Sequence, residues 1–149
     1  MTAATKNRNT PHRLGLSRGL LVAAAAECFA GTIAVINAEG FTEPGTTATG
    51  LTAAGVFESY QDNTDGADGD QLVEVKRGNF YFANSTSTDA ITAADTGQVC
   101  YIVDDQTVAK TDGTATRSPA GIVDGVDDHG VWVNIDPTNG VAAIAAATA

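Results

Sequence analysis

Leu72-Val73-Glu74-Val75-Lys76-Arg77-Gly78-Asn79-Phe80-Tyr81-Phe82-Ala83 is the stretch on which the fold turns. Its first half alternates apolar and polar residues, with Glu74 and Lys76 on one face, the pattern of a half-buried strand. Its second half is a run of aromatics, which pack well on a pleated surface. Gly78-Asn79 between them carries turn chemistry, so the stretch reads as a hairpin. No segment of this kind has the 3.6-residue period of a helix.

The same signals recur outward in both directions. Upstream, Thr32–Ile36 is a β-branched run, Ala38-Glu39-Gly40 is a turn, and Phe41 begins an extended segment that ends at Pro44-Gly45. Thr46 to Thr52 has little to bury and reads as loop. Gly55–Tyr60 alternates and reads as a strand, followed by the polar loop Gln61–Asp70. Downstream, Gln98–Val103 and Thr107–Lys110 flank an Asp104-Asp105 turn. Ala120–Val126 and Val131–Ile135 flank a four-residue loop, Asp127 to Gly130. Thr92-Ala93-Ala94-Asp95 has capping-box spacing and predicts one short helical turn. Seven or eight short strands at regular spacing predict an all-β chain. The expected form is a small β-sandwich or β-barrel of short antiparallel strands, with an extended N-terminal arm and little helix.

Composition bounds what such a fold can do. Ala, Thr and Gly supply 62 of 149 residues, and Val, Ile, Leu and Phe only 31. That is close to the least a chain can use to build a core. Short strands with open edges and a lean core favour burial against other chains. The net charge is −10, from 8 basic and 18 acidic residues. A protein that coats nucleic acid needs clustered Lys and Arg, so that class is disfavoured. No apolar run reaches the length of a membrane span.

The charge is also divided. Lys6, Arg8, Arg13 and Arg18 precede the first acid, Glu27, so a basic arm leads into an acidic body. The arm is polar, holds Pro11 and has no clean periodicity, which reads either as a frayed terminus or as a strap that orders against a neighbouring subunit. The expected organisation is arm 1–19, body 20–137 and an Ala-rich tail 138–149, which forms a short helix or stays loose. The run Leu20 to Ala26 after the basic residues also has the look of a secretory signal. It is short and mostly Ala, and is read here as part of the chain.

Chemistry is sparse. His12 falls in the arm and His129 in a loop, with no nucleophile elbow beside either. Cys100 sits mid-strand among apolar neighbours and, like Cys28, reads as a buried thiol. Asp104-Asp105 and Asp127-Asp128 fall at turns, where Asp bonds nearby backbone. Asp62 to Asp70 has the oxygen-rich look of a calcium loop, but its spacing departs from that pattern and no Glu stands at position twelve. No catalytic residue, cofactor or metal is expected.

Three stretches carry a likeness. They are Asn63–Asp70 continuing to Arg77-Gly78-Asn79-Phe80; Val99-Cys100-Tyr101-Ile102-Val103-Asp104-Asp105-Gln106-Thr107-Val108-Ala109; and Arg117–Val123 with Gly130-Val131-Trp132-Val133. Over about residues 20–136 the pattern resembles the capsid decoration (cement, head-stabilising) proteins of tailed bacteriophages. The resemblance implies a non-enzymatic β-rich protein on the outer surface of the virion, made in the host cytoplasm. Its implied partners are the major capsid protein and copies of itself, often as trimers. On that reading Lys6, Arg8, Arg13 and Arg18 contact the shell or a neighbour. Phe80, Tyr81, Phe82, Tyr101 and Trp132 are anchors or, as strand aromatics usually are, core. The alternative is a secreted or surface β-sandwich adhesion module that binds sugar or calcium.

Overall fold

The computed structural model describes residues 2–148. The chain is all-β, with twelve strands and one short α-helix among the described residues. The strands are β1 (Ser17–Leu21), β2 (Glu27–Cys28), β3 (Ile33–Ile36), β4 (Thr42–Pro44), β5 (Thr52–Phe57), β6 (Gln61–Asp62), β7 (Leu72–Lys76), β8 (Gly78–Asn84), β9 (Val99–Ile102), β10 (Thr107–Ala109), β11 (Pro119–Val126) and β12 (Val131–Ile135). The Ala-rich tail forms α1 (Val141–Thr148).

Two units share these strands. An antiparallel sheet runs β1-β7-β5-β3-β4, and a five-stranded barrel closes in the order β10-β8-β12-β11-β9. β2 and β6 make a small separate pair. Within the barrel only β8–β10 is parallel. Sheet and barrel pack together. Ile33, Val35, Ala53 and Val56 of the sheet join Phe82, Ile102, Val108, Val123, Val131, Val133 and Ile135 of the barrel in one core. The other face of the sheet carries a second core of Val22, Ala23, Ala26, Cys28, Ala34, Ala54, Phe57, Val73 and Val75. β3 and β5 are therefore buried on both faces, which is why they read as apolar runs rather than alternations.

A bulge makes this possible. Ala34 pairs with Gly55 and Val35 with Ala53, so Ala54 is an extra residue on β5. Gly55 has φ +144°, and a Cβ there would lie 2.1 Å from the Lys76 carbonyl oxygen. Only glycine lets β7 come that close.

Three readings are corrected. First, Leu72–Ala83 is not a hairpin. β7 pairs with β1 and β5, whereas β8 pairs with β12 and β10. Gly78, at φ +153°, redirects the chain from the sheet into the barrel instead of folding it back. Second, the strand read as Gly55–Tyr60 is Thr52–Phe57, begun by residues assigned to loop and to no element. Third, the strand count rises from seven or eight to twelve because β1 and the two-residue pair β2–β6 carry little alternation. β1 includes Ser17, Arg18 and Gly19, so pairing begins inside the segment read as arm. Val22, just beyond β1, is wholly buried, and Ala23 and Ala26 join the same core. The apolar run Leu20–Ala26 thus feeds the sheet.

The two downstream hairpins stand as read. β9 pairs β10, and β11 pairs β12 around the Asp127–Gly130 loop. A 3-10 turn occupies Ala93–Asp95, with the Asp95 carboxylate accepting from the Thr92 N–H at 2.8 Å. The Thr- and Gly-rich loop before β5 is laced to the barrel. The Thr47 hydroxyl donates to Val103 O at 2.7 Å, and buried Ser118 donates to Ala48 O at 2.7 Å while accepting from Leu51 N–H.

Candidate functional site

Charge is distributed in a way that separates the arm from the body. Of the four cations beyond Arg18, three are held in ion pairs: Arg77 with Asp136 at 3.0 Å, Lys110 with Asp95 at 3.5 Å, and Arg117 with Asp89 at 2.7 Å. These hold loops in place. Asp89 also accepts from the Thr111 N–H and hydroxyl. Burial raises the Asp89 pKa, but the bonds from Thr111 and Arg117 outweigh it and hold the carboxyl below its usual range. Among the described residues, no carboxylate pairs with Lys6, Arg8, Arg13 or Arg18.

The first three of those cations lie on a segment without secondary structure whose residues 2–14 are all exposed. The arm touches the body at its base, where Leu16 O accepts from the Arg77 N–H at 3.1 Å. Arg18 differs from the other three. It lies in β1, and its guanidinium folds back onto Ser17 O at 2.7 Å and Gly15 O at 3.3 Å.

The aromatics divide by face. Phe82 is core, and Phe80 packs against the core from a half-buried position. Tyr101 is half-buried on β9. Tyr81 and Trp132 are cross-strand neighbours on the outside of the barrel. They are 39% and 44% exposed, and their ring centroids lie 5.0 Å apart. Carboxylates rim the pair. The Tyr81 hydroxyl donates to Asp127, whose other oxygen contacts are the N–H groups of His129 and Gly130. That bond pushes the Tyr81 hydroxyl up to about 12 and holds Asp127 below the usual carboxyl range. Asp124 on β11 accepts from Asn79 on β8 at 2.5 Å. Asp128 follows in the same loop, and β8, β11 and β12 contain no Lys or Arg. The face is therefore aromatic at its centre and anionic at its edge.

The sequence reading did not single out a second exposed aromatic pair, Phe29 and Tyr60, with centroids 5.6 Å apart. The Tyr60 hydroxyl donates to Glu27 at 2.8 Å. Leu21 and Leu72, opposite each other across β1 and β7, are also exposed. All four sit next to loops, where single-sequence patterning is weakest.

The remaining sequence candidates are placed as follows. Cys28 and Cys100 are free, buried thiols. Burial pushes Cys28 up to about 11 and Cys100 up to about 12, and the Cys100 thiol donates to Gly121 O. His12 is exposed in the arm and His129 is exposed in the β11–β12 loop. In the acidic loop, Asp62 accepts from the Thr64 N–H and hydroxyl, Asp68 from the Ala24 N–H, and Asp70 from the Ala67 N–H. Buried Asn63 bonds the carbonyls of Ala23 and Ala67 through its amide NH₂. These side chains shape the loop, and no three metal-ligating side chains converge among the described residues. Among the described residues, no helix is long and apolar enough to cross a membrane.

No family model matches this chain, and no curated protein and no solved structure matches it either.

Proposed function

We propose that this protein is a structural component of a phage head, decorating the outer surface of the capsid and bridging major capsid protein subunits. The observation that carries the reading is the division of charge. Three of the four body cations are bound to body carboxylates, whereas the arm presents Lys6, Arg8 and Arg13 to solvent on a segment without regular secondary structure. Such an arm gains from ordering only against something outside its own fold. The small β body suits a part repeated many times over a lattice, where weak contacts add to high avidity. Its net negative charge suits an outward face that keeps particles apart. No catalytic step is assigned to it.

The test is particle stability. Heads that lack the protein assemble but rupture at lower temperature, and adding the protein back restores them. Equal rupture temperatures with and without it would end the cementing reading.

A second reading, a surface module that binds sugar, is favoured by one observation: Tyr81 and Trp132 offer an exposed aromatic platform beside Asn79 and Asp124. Calorimetric titration with oligosaccharides separates the two. Calcium binding has weaker support, because Asp62, Asp68 and Asp70 already accept from backbone N–H groups.

A further inference from the structure

We infer that the Tyr81–Trp132 face is the receptor for the N-terminal arm of a second copy of this chain, with Lys6 and Arg8 as the residues it receives. The inference deepens the self-association in the proposed function and does not require the shell. Four observations carry it.

The face is unfilled and chemically specific. Two large aromatic side chains stand out from the barrel with their rings tilted 56° to each other, leaving ring surface open to solvent. Asp124 and Asp127 are each engaged by one strand side chain, Asn79 and Tyr81, which orients the carboxylates at the rim of the pair. An aromatic surface bordered by carboxylates fits a guanidinium or ammonium group. The ring faces attract the cation, and the carboxylates accept its hydrogen bonds.

The arm carries the complement. Lys6 and Arg8 are two residues apart, so on an extended segment they project to the same side, roughly 7 Å from one another. Neither has a carboxylate partner among the described residues. Arg8 contacts only the Thr10 hydroxyl, its neighbour along the arm.

The three strands that carry the face supply no cation of their own. Arg77, Lys110 and Arg117 are held elsewhere, and β8, β11 and β12 contain no basic residue. His129, in the loop beside Asp127, donates its backbone N–H to that carboxylate.

The geometry favours a second copy over the arm's own body. The base of the arm lies beside Arg77, one residue before β8 begins. The arm is nevertheless not packed on its own body: residues 2–14 are all exposed, Leu14 by 88%. From the anchored Leu16, the ten residues back to Lys6 can span about 33–36 Å when extended, enough to reach an adjoining molecule.

The chain has a single tryptophan, and it is Trp132, so its emission reports on this face directly. The experiment follows Trp132 emission and sedimentation of the full-length protein over a concentration series, at low and high salt. The variants are Lys6→Glu with Arg8→Glu on the arm, and Asp124→Lys with Asp128→Lys on the face. Circular dichroism checks that each remains folded. Wild type is expected to associate with a concomitant change in Trp132 emission. Either double variant should weaken association by about tenfold to a hundredfold, as expected from losing two or three partly exposed ionic contacts. Mixing the two variants should restore association, because the reversed charges again match. Three results overturn the proposal: wild type that stays monomeric throughout the series, association that both variants leave unchanged, or a Trp132 emission change on arm reversal that is the same at every concentration. The last would place the arm on its own body. If the proposal fails while heads without the protein still rupture early, the shell reading stands and only the receptor assignment is lost.

Discussion

The two faces of the central sheet are built from different materials. Towards the barrel, ten of the fourteen core residues are Val or Ile, and the rest are Phe82, Cys100, Ala53 and Ala120. On the far side, four of nine core residues are Ala, and Phe57 is the one large side chain fully buried there, with Leu20, Ile36 and Phe41 packed against the cluster from half-buried positions. Branched residues on close-packed strands fill space redundantly, so losing one methyl leaves many contacts in place. In the Ala-rich face one aromatic ring fills the space that several aliphatic side chains fill opposite. The comparison shows how a chain this poor in large apolar residues still closes two cores: it concentrates them around the barrel and lets Phe57 hold the rest.

Phe57→Ala is therefore expected to do the most damage, about 3–5 kcal/mol by denaturant unfolding, since its Ala neighbours are too small to collapse into the cavity. Next comes Asp89→Asn, expected to cost about 1–2 kcal/mol at neutral pH by weakening the bonds from Thr111 and Arg117. The sign of its pH dependence is fixed. The folded carboxyl titrates below its ordinary value, so its contribution is complete above about pH 5 and fades as acid drives the pH through the lower folded value. A pH series of unfolding midpoints should be flatter on the acid side for the variant. On the barrel side, Ile135→Val removes one methylene from a wholly buried position and should cost about 1 kcal/mol. If Ile135→Val proves as harmful as Phe57→Ala, the contrast between the two faces is wrong. The smallest effect belongs to the arm. Lys6→Glu with Arg8→Glu should change stability by less than about 0.5 kcal/mol, because neither side chain touches the body.

Much of the barrel was legible because its strands alternate and its turns are marked. Val131-Trp132-Val133-Asn134-Ile135 buries every second residue, as its pattern requires. The same alternation puts Trp132 on the side of Asn134, a signal that the reading of strand aromatics as core passed over. Its neighbour Tyr81 was hidden among Phe80 and Phe82, where a run of aromatics obscures which face is which. The sheet was harder to read. β5 is buried on both faces and begins with small residues, so it resembles loop on the page. Leu72–Ala83 looked like a hairpin because local turn chemistry at Gly78 does not say whether the next strand folds back or crosses to another sheet. That choice is made by β1 and β12, far away in sequence, which supply the true partners. The arm's cations were plain in the sequence. Their lack of partners needed the ion pairs of the body to be seen.

The central claim is that the cationic arm serves a contact outside its own fold. Co-sedimentation of the protein with capsid shells that lack it tests this most directly, comparing the full-length protein with the variant carrying Lys6→Glu, Arg8→Glu and Arg13→Glu. The account predicts saturable binding of the unmodified protein and a loss of about tenfold or more in the variant. Equal binding by both, or none by either, would contradict it.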